Sequence, residues 1–379
     1  MKAVISKIDL VHLIGKIQSI VAVKPAIPIL ANLLLEAIDD QLIVSGTDFT
    51  VSMRMYVDAK VIEEGAIALP ARRFFQLVRE LTSPQVKISA QTNEIAEITT
   101  GTSVFKINGM NKAEFPALPD LTGSPEIVLP SSNLKEMLSK TAFSAAREDS
   151  RYMLNGVQVQ INAQKATFIG TDGKRLAKAS ASVAIDPSIG GAYVIPLKAV
   201  EEMIKMLDDS DTAVHLSLAH DKISLESGSL TLIAKLLSGQ YPDVERVIPA
   251  SVSQSFSIHR EELMSLLRQV SLFTSENSSS VRFSFETGQL FLAAMSSEIG
   301  EGRVSMPVDY AGPKLEIAFN PYFFLDILRH TKDETFRFGL NDAHNPGLIT
   351  DSTQALFVIM PMRLNDAPAP RKEAAASVS

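Results

Sequence analysis

Three stretches spread over the chain share one pattern, a strand-like run that ends in proline or asparagine and passes into an amphipathic helix. They are GAIALPARRFFQLVREL with Pro70, GAYVIPLKAVEEMIKML with Pro196, and KLEIAFNPYFFLDILRH with Asn320. Pro70 and Pro196 are 126 residues apart, and Asn320 follows Pro196 by 124. A second mark keeps the same beat: QLIVSGTD ends at Asp48 and KATFIGTD at Asp172, 124 residues on. Coincident offsets of this kind are the signature of internal repetition, and they restrict the fold to copies of one supersecondary unit.

Each copy also opens with a helix-period run: from Ser6, where Leu10, Leu13, Ile14, Ile17 and Val21 recur at helical spacing, from Ser131, and from His259. Between the helices lie alternating runs such as NGVQVQINAQKATFIG and SVRFSFETGQLFLAA, which read as antiparallel strands. In the third copy AAMSSEIG stands where the others have Gly-Thr-Asp, so that mark has decayed. The fold class expected is α+β: three modules, each with two helices and antiparallel sheets, spanning 1–124, 125–250 and 251–364. The small, polar, Pro/Ala-rich segment 365–379 reads as a disordered tail.

Composition narrows the function. The chain of 379 residues has no cysteine, which excludes disulfides, zinc-thiolate sites and cysteine nucleophiles. Charges at Lys7, Asp9 and Lys16 interrupt any secretory h-region, and the apolar stretch Ile27–Ile38 is broken by Pro28 and Asn32, too short to span a bilayer. A soluble, cytoplasmic protein is expected. The net charge of −7 argues against a generally adhesive nucleic-acid binder, yet the polar helix faces concentrate Lys16, Arg72, Arg73, Arg79, Lys135, Lys140, Lys198, Lys205, Arg268 and Arg329. Repeated over six helices, these point to a shared basic surface able to touch phosphates without reading sequence.

Catalytic motifs are missing. The Gly-Lys pair of FIGTDGKRLAK invites a phosphate-loop reading, but Gly170 and Gly173 are three apart and Arg175 follows Lys174, so the Walker spacing fails. The six histidines are dispersed, and His215 and His220 face opposite sides of a strand run. No metal site and no cofactor are expected.

YMLNGV with TDGKRLAKAS, GQYPDVERVIP and VIMPMRL, joined by PAIPILANLLLEA, LPARRFFQLVREL and AEFPALPDL, resemble the bacterial sliding clamp, the DNA polymerase III beta subunit. The resemblance runs in order over residues 1–364. It implies a homodimeric ring, three similar domains per subunit, with helices lining a hole that encircles double-stranded DNA. It implies a non-enzymatic processivity factor, opened by a separate clamp loader, that tethers DNA polymerase subunits, repair polymerases and mismatch-repair or ligase proteins through short peptides. A triplicated scaffold that binds proteins without encircling DNA is the alternative.

By matching motif, the resemblance implies a peptide pocket between the second and third domains. Its residues are Leu154, Thr171, Gly173, Lys174, Arg175, Leu176, Pro242, Arg246, Val247, Asn320, Phe323, Val358, Met360, Pro361, Met362 and Arg363, with His344 and Pro346 as a rim. Arg175 or Arg246 would hold a peptide carboxylate or carbonyl. Lys174 stands where the family commonly has His, and Ser278 where it often has a larger residue. For DNA the resemblance implies Lys24, Arg147 and Tyr152 on loops, with Arg72 and Lys198 on helix faces; Glu148 and Met153 differ from the family's residues there. For the dimer it implies an edge strand with Phe105 and Ile107 against a helix end with Leu272 and Phe273, and an ion pair of Arg73 with Glu298.

Overall fold

The computed structural model describes residues 1–91, 93–162, 165–183, 190–275, 279–353 and 355–363. Ser278 and the expected tail lie outside the described residues. Among the described residues six α-helices recur in pairs: α1 Lys7–Ile17, α2 Ala71–Glu80, α3 Ser131–Ala142, α4 Leu197–Met206, α5 Arg260–Ser271 and α6 Pro321–His330. Ser6 caps α1 by accepting from the amides of Ile8 and Asp9, and Asn320 caps α6 by accepting from Tyr322, with Pro321 at the first helical position. The proline that precedes α2 and α4 supplies no such bond, so the third copy's Pro-to-Asn change adds a cap. On α1 the spacing buries Leu10, Leu13, Ile14 and Ile17, each contributing roughly 1.5–3 kcal/mol.

The chain packs as two compact units, one of residues 1–136, 161–164 and 183–238, the other of 137–160, 165–182 and 239–379. The first holds a five-stranded sheet ordered Lys60–Glu63, Lys2–Ser6, Gln85–Ala90, Ile95–Thr100, Ser103–Asn108. Its larger sheet runs Glu126–Pro130, Ala213–Leu218, Lys222–Ser227, Leu230–Lys235, Val51–Asp58, Gln41–Thr47, Asn32–Ile38, Gly65–Pro70. The pairing Leu232↔Met53 in its middle joins strands from the first and second sequence repeats.

The second unit repeats that device. Of an eight-stranded sheet it holds, in order, Gly156–Asn162, Lys165–Thr171, Arg175–Ser182, Ala355–Ile359, Gly347–Thr350, Thr335–Leu340 and Gln254–His259, and Leu176↔Val358 joins the second repeat to the third. A four-stranded sheet, Gly300–Pro307, Gln289–Ser296, Val281–Glu286, Leu315–Phe319, completes it. Its core is aromatic: Phe256, Phe283, Phe285, Phe319, Phe324 and Phe338 are all buried and contact one another edge-on or stacked. Among the described residues no helix is long and apolar enough to cross a membrane.

One expectation is corrected here. Lys140 is not on a polar helix face: only 3% of its side chain is exposed, and its Nζ donates to Thr353 Oγ1 at 2.6 Å and lies 3.8 Å from the buried Asp351 carboxylate. Other basic helix residues are internally engaged though accessible: Lys135 with Asp209, Lys198 with Asp48, Lys205 with Glu202, and Arg329 with Asp326. Arg72, Arg73, Arg79 and Arg268 are exposed.

Candidate functional site

The Gly-Thr-Asp mark is one turn built twice. In the first copy Thr47 Oγ1 accepts from the Phe49 amide at 3.1 Å, and Asp48 Oδ1 accepts from Thr50 and Val51 at 2.9 and 2.7 Å. In the second, Thr171 Oγ1 accepts from Gly173 at 3.1 Å, and Asp172 Oδ1 from Lys174 and Arg175 at 2.9 and 3.0 Å. Short polar side chains satisfying the amides two and three residues on are what this sequence encodes locally. The third copy retains a fragment, since Ser296 Oγ accepts from Glu298 at 3.3 Å. Gly170 is required because a Cβ there would stand 2.1 Å from the Thr141 carbonyl oxygen, and Gly173 holds a left-handed φ of +82° beneath the Arg151 guanidinium.

Strand register gathers the pocket residues. One row across the second unit's sheet runs Thr171, Leu176, Val358, Leu348, and the next aligns Arg175, Ile359 and Gly347. The turn at 172–174, the segment leaving Ile359 and the segment entering Gly347 therefore meet at one end of the sheet. Met360 donates its amide to the Lys174 carbonyl at 2.9 Å, and Met362 donates to Ala318 at 2.8 Å, next to Asn320. The loop with Pro242, Arg246 and Val247 is pinned alongside. The buried Tyr241 hydroxyl donates to the Ile169 carbonyl at 3.3 Å, burial pushing its pKa up, and Glu245 pairs with Lys178.

Leu154, Thr171, Leu176 and Val358 are buried, whereas Lys174, Pro242, Arg246, Val247, His344, Met360 and Arg363 are exposed. Pro346, Pro361 and Met362 are half-buried. Beside them opens a cleft of about 320 Å³ lined by Phe143, Ala145, Ala146, Arg147, Glu148, Asp149, Arg151, Asp172, Lys174, Arg175 and Phe323. Sequence reasoning named Lys174, Arg175 and Phe323 for the pocket and Arg147 for DNA; it missed Phe143, Asp149, Arg151 and Asp172. Asp172 was visible in the repeat mark, but nothing local ties Phe143 to it.

Arg175 stands at the centre. Its Nε donates to Asp172 at 3.2 Å, Nη1 to Asp326 at 2.7 Å and Nη2 to the Phe143 carbonyl at 2.9 Å. Arg246 is exposed and pairs with Asp243 at 2.8 Å. Arg151 forks onto Asp149 at 2.9 and 2.8 Å and also donates to the Asp172 carbonyl. That fork, with Lys174 nearby, lowers the Asp149 pKa to about 2. The folded value lies below the unfolded one of about 3.9, so this contribution is complete above pH ~4 and is lost as pH falls toward 2. Carbon NMR should give Asp149 a midpoint near 2, returning toward about 3.9 in Arg151→Met. An unchanged midpoint in that variant would remove Arg151 as the cause.

The DNA and dimer candidates are placed separately. Lys24, Arg72, Arg147 and Tyr152 are exposed, and Lys198 donates to Asp48 and to the Ile20 carbonyl. Glu148 lines the cleft, and Met153 packs against Gly239. Ser103–Asn108 is the outermost strand of its sheet, with Phe105 37% exposed and Ile107 buried. Leu272 is 72% exposed at the end of α5, while Phe273 lies over Gly302. Arg73 and Glu298 are both exposed.

Family comparison matches nearly the whole chain: the N-terminal, central and C-terminal domains of the DNA polymerase III beta subunit match residues 1–119, 128–243 and 245–363. The chain belongs to the bacterial beta sliding clamp family. A beta sliding clamp of Chlamydia pneumoniae is 51% identical over 366 residues, covering 97% of this chain and all of that protein. The crystal structure of the sliding clamp from Bacillus subtilis superposes with a TM-score of 0.92 at 26% identity, covering 96% of this chain and 99% of that one. A clamp from Pseudomonas aeruginosa bound to griselimycin gives 0.91 at 28% identity, covering 96% and 100%. The chain is thus a three-domain clamp and the non-catalytic processivity subunit of DNA polymerase III.

Proposed function

We propose that this subunit pairs with a second copy to form a ring around duplex DNA, and that the convergence of segments around the Arg175 strand receives short peptides from the polymerase and from repair factors. The observation that carries the peptide reading is the register. It sets the exposed apolar Met360 against Lys174 of a charged cleft, while the short turn that carries exposed Val247 is tied to the same sheet by the Glu245–Lys178 pair. Apolar anchors would lie against Met360, Met362, Pro242 and Val247, since methionine adapts to varied side chains. The domain limits would be 1–124, 125–250 and 251–364. Arg72, Lys24, Arg147, Tyr152 and Lys198 would touch phosphates weakly, allowing movement along the duplex. The dimer would form between the Ser103–Asn108 edge, with Phe105 and Ile107, and the Leu272–Phe273 end of α5, with Arg73 and Glu298 in reach of each other.

Incubation with clamp loader, ATP and nicked circular DNA tests the ring. The protein should co-elute with the circle and be released when the circle is cut once. Retention on the linear product would contradict topological binding and favour a scaffold that does not encircle DNA.

A further inference from the structure

Arg175 cannot serve a ligand as a free arm does. Its side chain is 11% exposed, and it donates to Asp172, Asp326 and the Phe143 carbonyl. Its guanidinium carbon also lies 4.6 Å from the Phe323 ring centre and 5.5 Å from that of Phe143. Phe143 is held in turn by His330, stacked at 4.3 Å between ring centres and 12° between planes. The His330 Nδ1 contacts the Asp326 carbonyl at 2.8 Å; a carbonyl only accepts, so Nδ1 carries the proton. Phe143, Phe323 and Arg175 itself line the cleft, whereas Asp326 and His330 do not.

We propose that Arg175 and His330 are positioning residues: a strut that fixes Phe143 and Phe323 as the cleft wall, so that Arg175 acts on bound peptide by holding those rings rather than by donating to it. The proposal rests on the peptide-groove reading. The charged groups facing His330 are Asp326 and Arg329 from α6 and Arg175 from the neighbouring strand. Burial lowers the His330 pKa, against the Asp326 carbonyl and carboxylate and with the help of Arg329 and Arg175. With the folded value below the unfolded one, the contribution of the neutral stack is complete above pH ~6.5 and is lost as pH falls through the lower, folded value.

The test uses full-length protein and fluorescein-labelled peptides tiled across the replicative polymerase subunit of the same organism, read by anisotropy. For the tightest binder, Asp326→Asn should weaken affinity about tenfold, and Arg175→Lys similarly, because one ammonium cannot reach three acceptors in a plane. His330→Phe keeps a stacked ring without a titrating group, so its affinity should stay flat over the acid range in which the wild type's falls. The Arg175 Nε–H resonance should stay nearly fixed on peptide saturation. Affinity within twofold of wild type for Asp326→Asn, or a large Nε–H shift on binding, would overturn the strut alone. A wild-type chain that captures none of the peptides would overturn the groove reading and the strut with it.

Discussion

Replacing Phe338 by alanine should lower the unfolding midpoint of the second unit by on the order of 10 °C, from a loss of about 3–5 kcal/mol. Phe338 is fully buried on the strand Thr335–Leu340, one in from the edge of its sheet. Its ring lies 5.4 Å from Phe324, 5.9 Å from Phe256, 6.0 Å from Phe319 and 6.1 Å from Phe285. It also presses on the backbone of Gly347, where an added Cβ would stand 2.7 Å from the ring. Removing it leaves a void between rigid rings and a strand that has no room to shift, so collapse recovers little. Phe338→Leu, which fills most of the space, should cost less than half as much. A chain of this size unfolds in more than one step, so the shift is read on the transition that exposes this core. Equal midpoints for wild type and Phe338→Ala would mean that the aromatic cluster is not what holds this unit together.

The second large effect belongs to Lys140. Lys140→Met should destabilise by about 3–5 kcal/mol, because it leaves the Asp351 carboxylate buried without its cation. The Asp351 side chain is fully buried; Oδ1 accepts from Thr353, while Oδ2 has no hydrogen bond and faces the Lys140 ammonium at 3.8 Å. The double variant Lys140→Met with Asp351→Leu removes both charges and should recover most of the loss, since two apolar groups of similar size owe no desolvation. Urea midpoints for the two single variants and the double variant complete the cycle. A double variant as unstable as the sum of the singles would show that the two residues act independently.

Legibility from sequence followed the range of the interaction. The Gly-Thr-Asp turns were readable because their bonds span two or three residues, and Asp48 and Asp172 make the same pair of bonds. The helices were readable because α1 and α5 repeat their apolar residues at one face and carry their own caps. The roles of Lys140 and Arg175 were not. A lysine at a helix position reads as solvated until Asp351, 211 residues away, is known to lie against it. Arg175 reads as a ligand arm until Asp326, 151 residues away, takes one of its donors.

The same distinction applies to the whole chain. By itself the sequence determined the triplication, the helix and strand content, the repeated turn and the family, because these rest on local chemistry and on spacing. Only the tertiary structure decided how the repeats are distributed. Strands of neighbouring repeats pair through Leu232↔Met53 and Leu176↔Val358, so three copies in sequence pack as two units. Backbone hydrogen bonding between strands carries no residue label, and an edge strand accepts any partner of matching register. Which edge meets which is set by burial of the apolar face that the joined strands share, as Leu232 and Met53 do, a condition that exists only after the chain has folded.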